Sequence, residues 1–268
     1  MEAYRIVIKI VIVFSQCLFF AHSTDPCCKI SSRASPMYKL SRHEKRSTEA
    51  IITRKNVTNV ENCEKFAVSK KALAFNYADL NNADYRRTEN WRNPNCQVLA
   101  CPTTNGFTNL VNDTKFDYYS IYRSRISSEN GRLKCLPNVG LFYISEEHLN
   151  YTDARESCRK MRATLAHIAS EERTEGLGKM LSTNRTFVGL SNRDDERRWK
   201  NEFDEPLLCF DYRGWAKSEP ANSRGCVVLV PPENPRTSST WRVSSCSQIL
   251  PYICEIVPHY HRRSQRNR

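Results

Sequence analysis

The twelve cysteines of this 268-residue chain restrict its fold more than any other feature. Cysteines form stable pairs only in an oxidising compartment, and the N-terminus indicates export to one. Arg5 and Lys9 precede an apolar stretch, residues 10–21, and Ala21-His22-Ser23 has the small-x-small form of a cleavage site. We expect a signal peptide at residues 1–23. The alternative is an uncleaved signal anchor, for which the apolar stretch is short.

Eleven cysteines remain after this cleavage, because Cys17 leaves with the signal peptide. In a secreted chain most of them pair, and an odd count leaves at least one free or bonded to another chain, as in a disulfide-linked dimer. We therefore expect a secreted, extracellular protein with no membrane span after cleavage. Four Asn-x-Ser/Thr sequons agree with export and predict glycosylation at Asn56, Asn112, Asn150 and Asn184.

Positive charge is concentrated outside the C-terminal half. Residues 24–134 hold 19 Lys and Arg against 11 Asp and Glu, residues 135–257 hold 16 against 17, and residues 258–268 form a basic tail with four arginines. In an extracellular protein this pattern favours an acidic polysaccharide, an anionic membrane or an acidic protein over nucleic acid as the partner. The alternative is that the charge only keeps the protein soluble.

Apolar spacing predicts helices and short strands in the C-terminal half. Tyr151, Ala154, Cys158 and Met161 share one face of a helix over residues 150–161. Ser170 is a good N-cap for a second helix, whose first turn carries two carboxylates. We predict strands at residues 164–168, 187–190, 226–230, 241–243 and 252–256.

The order of these elements, with a Glu-Pro pair at 219–220 and a final Cys-x7-Cys, resembles the C-type lectin-like domain family. The resemblance covers residues 135–257 and implies an α+β double-loop fold with two helices and small antiparallel sheets. It also implies two disulfides, Cys158–Cys254 and Cys226–Cys246. A bridge that closes almost the whole domain stabilises it by about 4 kcal/mol in the chain-entropy model.

Members of that family that bind sugar do so through a calcium ion in the long loop, and calcium prefers several carboxylate and amide oxygens. Here Glu219 retains one such ligand, Ala221 and Arg242 replace amides, and Asn222 lies one position late. We therefore expect no calcium, no other metal and no cofactor. The degenerate long-loop site comprises Glu219, Pro220, Ala221, Asn222, Trp241, Arg242 and Val243.

Two features of this region can each be interpreted in two ways. Arg242 either takes the place of the ion and pairs with Glu219 across the loop, or it points to solvent. The acidic triplet Asp194, Asp195 and Glu196 is either an auxiliary calcium site of the kind the family can have, or a solvated turn.

Residues 24–134 are predicted to form a smaller, disulfide-stapled α+β module. A helix after Asn62 and strands at Ala74–Tyr77 and 95–101 resemble the PAN/apple module, although the cysteine of that family before its Ala-Phe strand is missing. The alternative is a stapled segment with no named fold. The dibasic pair Lys45 and Arg46 lies in a polar stretch that we expect to be flexible, where it is either a processing site or a solvated charge run.

The sequence leaves the remaining disulfides open. Cys209 is outside the lectin-like pattern, so it either bridges to the N-terminal part or joins two chains. A bridge between the adjacent Cys27 and Cys28 is strained and is not expected. We place the domain boundary in the polar residues 124–131. The seven cysteines whose pairing stays open are Cys27, Cys28, Cys63, Cys96, Cys101, Cys135 and Cys209.

No motif of a metal helix, a nucleophile elbow or a phosphate loop occurs in the chain, so we expect no enzymatic activity. Two functions remain. The first is a calcium-independent extracellular recognition or matrix protein that binds a protein partner. The second is a lectin that binds acidic glycans through a non-standard site with Arg242 and the basic N-terminal part. The layout resembles secreted invertebrate lectin-like proteins of immunity or of cuticle and matrix.

Overall fold

The computed structural model describes residue 27 and residues 35–87, 94–104, 108–123, 126, 130–182, 185–195, 198–220 and 224–260. In this part of the chain, no helix combines the length and the apolar character that a membrane span requires. Several predicted features lie outside it: the signal peptide, Cys28, the sequon Asn184, Glu196, Ala221, Asn222 and the arginines of the tail.

A five-stranded antiparallel sheet organises the N-terminal part. The strands of this part are β1 (Lys39–Arg42), β2 (Lys45–Ser47), β3 (Ile51–Lys55), β4 (Ala74–Tyr77), β5 (Cys96–Leu99), β6 (Leu110–Asn112) and β7 (Asp117–Ser120). Five of them pair in the spatial order β1-β7-β4-β5-β3, and β2 pairs with β6 as a separate ribbon. Every residue of β4 and β5 is buried, so the centre of the sheet is covered on both faces.

Helix α1 (Val60–Ser69) covers one face of this sheet. It begins after Asn59, whose side chain accepts a backbone N–H of the first turn at 2.9 Å and so satisfies a donor that the helix leaves open. Its buried Cys63 is bonded to Cys96 of β5, which fastens the helix to the central strands. The helix predicted near Cys63 and both predicted strands form, and a short helix, α2 (Ala83–Arg87), follows β4.

The ribbon of β2 and β6 corrects one prediction. Lys45 and Arg46 do not lie in a flexible stretch, because both belong to β2 and pair with residues of β6. Arg46 also forms an ion pair with Asp113, Nε to Oδ2, at 2.9 Å. The ribbon packs on polar side chains of the sheet, so its sequence lacks the apolar alternation by which a strand is normally recognised.

Two four-stranded antiparallel sheets form the C-terminal part. Their strands are β8 (Gly131–Leu136), β9 (Gly140–Ser145), β10 (Ala163–Leu165), β11 (Thr186–Ser191), β12 (Lys200–Asn201), β13 (Cys226–Val230), β14 (Thr240–Ser244) and β15 (Ile253–Ile256). The spatial orders are β10-β15-β9-β8 and β12-β11-β13-β14. The strand predicted at residues 164–168 ends at Leu165, because the chain leaves the sheet there toward the second helix.

Two helices flank these sheets, as predicted. Helix α3 (Tyr151–Lys160) begins after Asn150, whose side chain accepts the N–H of Asp153 at 3.0 Å. Helix α4 (Glu171–Gly178) begins after Ser170, whose hydroxyl accepts the N–H of Arg173 at 3.3 Å. In both cases a short polar side chain outside the helix satisfies an open N–H group of the first turn.

Five disulfides join the described cysteines. The structure forms both bridges that the resemblance implied. The other three are pairings that the sequence left open, and one of them, Cys27–Cys209, resolves the alternatives for Cys209 in favour of a bridge to the N-terminal part. The five are Cys27–Cys209, Cys63–Cys96, Cys101–Cys135, Cys158–Cys254 and Cys226–Cys246.

One apolar core extends through both parts of the chain. Tyr122, which follows the last strand of the N-terminal sheet, is buried, and its hydroxyl accepts the N–H of Leu141 in β9 at 3.2 Å. The Cys101–Cys135 bridge also joins the N-terminal part to the C-terminal part, where Cys135 belongs to β8. β8 begins at Gly131, so it spans residue 135, where we predicted that the second domain begins.

Candidate ligand site at the long loop

The long loop, residues 202–225 between β12 and β13, carries the first half of the predicted site. Glu219 and Pro220 are joined by a cis peptide bond. The N–H of Glu219 donates to the carbonyl of Ala216 at 3.0 Å, which closes a turn just before that bond. Glu219 is half-buried and Pro220 is exposed. The next two predicted residues, Ala221 and Asn222, lie outside the described part of the chain.

Strand β14 carries the second half of the site. Arg242 pairs in register with Val228 of β13, and its side chain is exposed. Val243 is half-buried. Side chains alternate between the two faces of a strand, so Trp241, which precedes Arg242, points inward. Of the three predicted site residues in β14, Arg242 is therefore the one whose side chain is accessible to a ligand.

Trp241 belongs to the core, which differs from its predicted place in a ligand site. Its side chain is 0% exposed, and its Nε1–H donates to Oγ1 of Thr174 at 3.0 Å. Its ring makes edge-to-face contacts with Tyr212 and Trp215, at centroid distances of 5.5 and 5.4 Å. Both partners lie in the long loop, so this aromatic cluster fastens the loop to β14 beneath Arg242.

One of the two interpretations of Arg242 was an ion pair with Glu219 across the loop, and this pair does not form. In the part of the chain that the structure describes, no ion pair joins these two side chains, and Arg242 extends into solvent. This is the second of the two interpretations that the sequence left open. An exposed guanidinium offers five N–H donors in a fixed plane, a geometry suited to carboxylate or sulfate groups.

The acidic residues after β11 face arginines. Nε of Arg193 lies 3.8 Å from Oδ1 of Asp194, and Nε of Arg198 lies 3.5 Å from Oδ2 of Asp195. These residues line a cavity of about 90 Å³. Because each of the two aspartates has a nearby cation, this cavity has no clear surplus of negative charge to attract a metal ion.

A partly buried ion pair that no sequence pattern predicted also lines this cavity. Nε of Arg155 in α3 lies 2.6 Å from Oε2 of Glu202, and the hydroxyl of Tyr151 donates to Oε1 at 3.1 Å. Burial raises the pKa of Tyr151 well above its usual range, so the hydroxyl keeps its proton for this bond. Arg155 and Glu202 lie far apart in the sequence, and neither belongs to a recognisable motif.

Metal ligation requires several oxygen, nitrogen or sulfur ligands around one point. Across the described ranges, no group of three or more His, Cys, Asp or Glu residues could hold a metal ion. The groups that the site presents, an exposed guanidinium and a half-buried carboxylate, suit hydrogen bonding and charge recognition.

Residues 147–256 match the family model described as the Lectin C-type domain. Over these residues, the C-terminal part of this chain is similar to the C-type lectin domain family. Its α+β architecture of two helices and small antiparallel sheets confirms the fold class predicted for it.

Known proteins are similar to the chain over this lectin-like domain. Collectin-10 of Gallus gallus is 29% identical over 122 residues, which cover 43% of this chain and 41% of the collectin. Struthiocalcin-2 of Struthio camelus is 28% identical over 123 residues, 41% of this chain and 82% of that protein. Among solved structures, the mouse scavenger receptor C-type lectin carbohydrate-recognition domain superposes with a TM-score of 0.41 at 22% identity, covering 50% of this chain and 98% of that one. The chain thus spans less than half the length of the collectin it matches.

Proposed function

We propose that this chain is a secreted extracellular recognition protein whose lectin-like domain binds a protein or matrix partner without calcium and catalyses no reaction. The observation that carries the proposal is the exposed Arg242 on β14. It places a cation where sugar-binding members of the family place a calcium ligand. A divalent cation is repelled by a guanidinium and needs several oxygen ligands, of which Glu219 supplies one.

The N-terminal module supports a second part of the proposal, a PAN/apple-like adhesion fold. Its helix α1 lies on an antiparallel sheet and is fastened to the central strand β5 by Cys63–Cys96. With this module and the predicted signal peptide and glycans, the layout fits secreted invertebrate lectin-like proteins of immunity or of matrix.

Acidic-glycan binding is the second candidate function. It is favoured by the charge of residues 24–134, which hold 19 Lys and Arg against 11 Asp and Glu. The salt dependence of the binding affinity distinguishes the two candidate functions. Contacts between exposed charges weaken as ionic strength rises, while a desolvated protein interface weakens much less. Affinity for an isolated partner, measured at low and high salt, tests which candidate holds.

Calcium titration by calorimetry, repeated with neutral and sulfated glycans, tests the calcium-independent role. We expect no heat of calcium binding in the wild type. The double variant Ala221→Asn, Arg242→Asn restores two amide ligands and should gain weak calcium affinity. The variant Arg236→Asn is the matched control, because it removes an exposed arginine elsewhere between β13 and β14. Tight calcium binding by the wild type, or calcium-dependent sugar binding, would overturn the proposal.

A further inference from the structure

A cavity of about 360 Å³ opens on the N-terminal module, away from the long loop. Small-molecule sites typically measure about 300–1,000 Å³. Ile51 and Phe116 supply its apolar wall. Its polar and charged lining comes from Arg46, Arg54, Gln97, Asp113 and Lys115.

The cavity lies on the sheet face opposite helix α1. Cross-strand neighbours share a face, so Arg54 of β3, Gln97 of β5 and Asn76 of β4 form one polar row. Cys96, next to Gln97, points to the other face, where it is bonded to α1. The ribbon of β2 and β6 covers the row at Asn76, and the cavity lies beside this contact.

The amide of Gln97 is oriented by its neighbour. The N–H of Ser47 donates to Oδ1 of Asn76 at 2.8 Å, and Nδ2 of Asn76 donates to the carbonyl of Ser47 at 3.0 Å. These two bonds fix which end of Asn76 is the donor. The same Nδ2 donates to Oε1 of Gln97 at 3.4 Å, so the oxygen of Gln97 faces Asn76 and its Nε2 is on the other side.

The Nε2 group of Gln97 has no acceptor within the described residues, although the side chain is only 7% exposed. In the described part of the chain, the buried side-chain atoms without a hydrogen-bond partner are Oδ1 of Asn138 and Oγ1 of Thr164, so Nε2 of Gln97 is open to the cavity and is not sealed in the core. Since Gln97 lines the cavity, a ligand that fills the cavity can accept a hydrogen bond from Nε2.

The charges of the lining favour an anionic ligand. Arg46 forms an ion pair with Asp113. Arg54 and Lys115 form no ion pair in the part of the chain described here. Three cations therefore face one carboxylate. Guanidinium groups bind sulfate and carboxylate with two parallel hydrogen bonds, and the amide of Gln97 adds a neutral donor for a hydroxyl or sulfate oxygen.

We propose that this cavity binds a sulfated sugar unit of an acidic polysaccharide, with Arg54 and Lys115 on the sulfate and Gln97 Nε2 on an adjacent oxygen. The apolar wall of Ile51 and Phe116 faces the C–H groups of the ring. The proposal rests on the second candidate function, acidic-glycan binding, and assigns it to a site on the N-terminal module. It does not depend on the calcium-independent role of the lectin-like domain. Either proposal can fail without the other.

Calorimetry of the full secreted chain, treated to remove its N-glycans, tests the site. The probes are a heparin-derived sulfated tetrasaccharide and its chemically desulfated counterpart. We expect binding of the first probe only. The double variant Arg54→Gln, Lys115→Gln should weaken it about tenfold or more, because two charge-assisted contacts are lost. Gln97→Glu keeps the acceptor for Asn76 and places a carboxylate beside the sulfate, so it should weaken binding by a similar factor.

The matched control is the double variant Lys160→Gln, Arg162→Gln, which removes two exposed cations from a separate groove. It should change affinity less than about twofold. Thermal unfolding of each variant checks that the fold is intact. An equal loss in the control would show that binding follows total charge, and failure of the wild type to bind would also overturn the proposal. So would an acidic peptide such as oligoglutamate that binds as tightly as the sulfated probe at this cavity.

Discussion

Arg173 of α4 holds Glu255 of β15 through two hydrogen bonds. Nη1 lies 2.7 Å from Oε2, and Nη2 lies 3.0 Å from Oε1. Nη1 also donates to the carbonyl of His167 at 3.1 Å, and the N–H of His167 donates to Oε2 at 3.1 Å. The guanidinium lies 5.8 Å from the ring centre of Phe142. A mostly buried charge pair thus fastens the second helix of the lectin-like domain to its last strand.

The variant Arg173→Met should destabilise the fold by about 3 kcal/mol, because it leaves Glu255 buried without its cation. Urea unfolding measures this free energy. Arg198→Met is the matched control, since Arg198 faces Asp195 at an exposed position and its loss should cost less than about 1 kcal/mol. Equal effects of the two substitutions would contradict the structural role of the buried pair.

Acid should weaken the same pair. Burial by itself raises the pKa of Glu255, but the charge and hydrogen bonds of Arg173 outweigh this effect and hold the pKa below its ordinary value of 4.5. A carboxyl whose pKa is lower in the folded state stabilises the fold above the unfolded pKa. That stability is lost as pH falls through the folded pKa.

The measurement is urea unfolding at stepped pH from about 7 to about 3. The free energy of unfolding should fall more steeply below about pH 5 in the wild type than in Glu255→Gln, which cannot ionise. Parallel curves for the two proteins would show that Glu255 does not contribute to acid unfolding.

Substitution of two adjacent residues of β14 should change stability by very different amounts. Trp241→Phe removes the hydrogen bond to Thr174 and part of the buried ring, so we expect a loss of about 2 kcal/mol. Arg242→Gln alters an exposed side chain and should change stability by less than about 0.5 kcal/mol. Thermal unfolding with circular dichroism compares them. If Arg242→Gln destabilised the fold as much as Trp241→Phe, its side chain would have a structural partner.

The pairing of Cys209 can be tested by disulfide mapping. Proteolysis of the unreduced protein followed by mass spectrometry should recover a Cys27–Cys209 linked peptide. A peptide in which Cys209 links two copies of the chain would contradict the structure.

The variant Cys101→Ser, Cys135→Ser removes the bridge that joins the N-terminal part to the C-terminal part. It should lower stability by about 4 kcal/mol, the amount the chain-entropy model gives for a loop closed by two cysteines 34 residues apart.

Local pattern was sufficient for several elements. Helix α3 was predicted from the spacing of Tyr151, Ala154 and Cys158, and all three are buried. The strands β4 and β13 also lie where they were predicted, because short apolar runs between polar turns have few other solutions. β9 was not predicted, although all six of its residues are buried, and the edge strands β1, β3, β8 and β12 and the polar ribbon of β2 and β6 were also missed.

The candidate site was predicted in part. Its residues in the long loop and β14 could be located from motif spacing, but their exposure could not. Trp241 and Arg242 are adjacent, yet one is packed beneath the loop and the other is in solvent. The partners of Arg155 and Arg173 lie 47 and 82 residues away, and no local pattern connects residues at such separations.

The sequence by itself determined the lectin-like fold of the C-terminal part and its two implied disulfides, because these follow from an ordered set of local motifs. The same motifs also carry the prediction that Arg242 stands in place of a calcium ligand. Only the tertiary structure decided how the other described cysteines pair and which polar side chains meet. Those outcomes depend on the packing of strands that are distant in the chain, as when β3, β4 and β5 bring Arg54, Asn76 and Gln97 into one row.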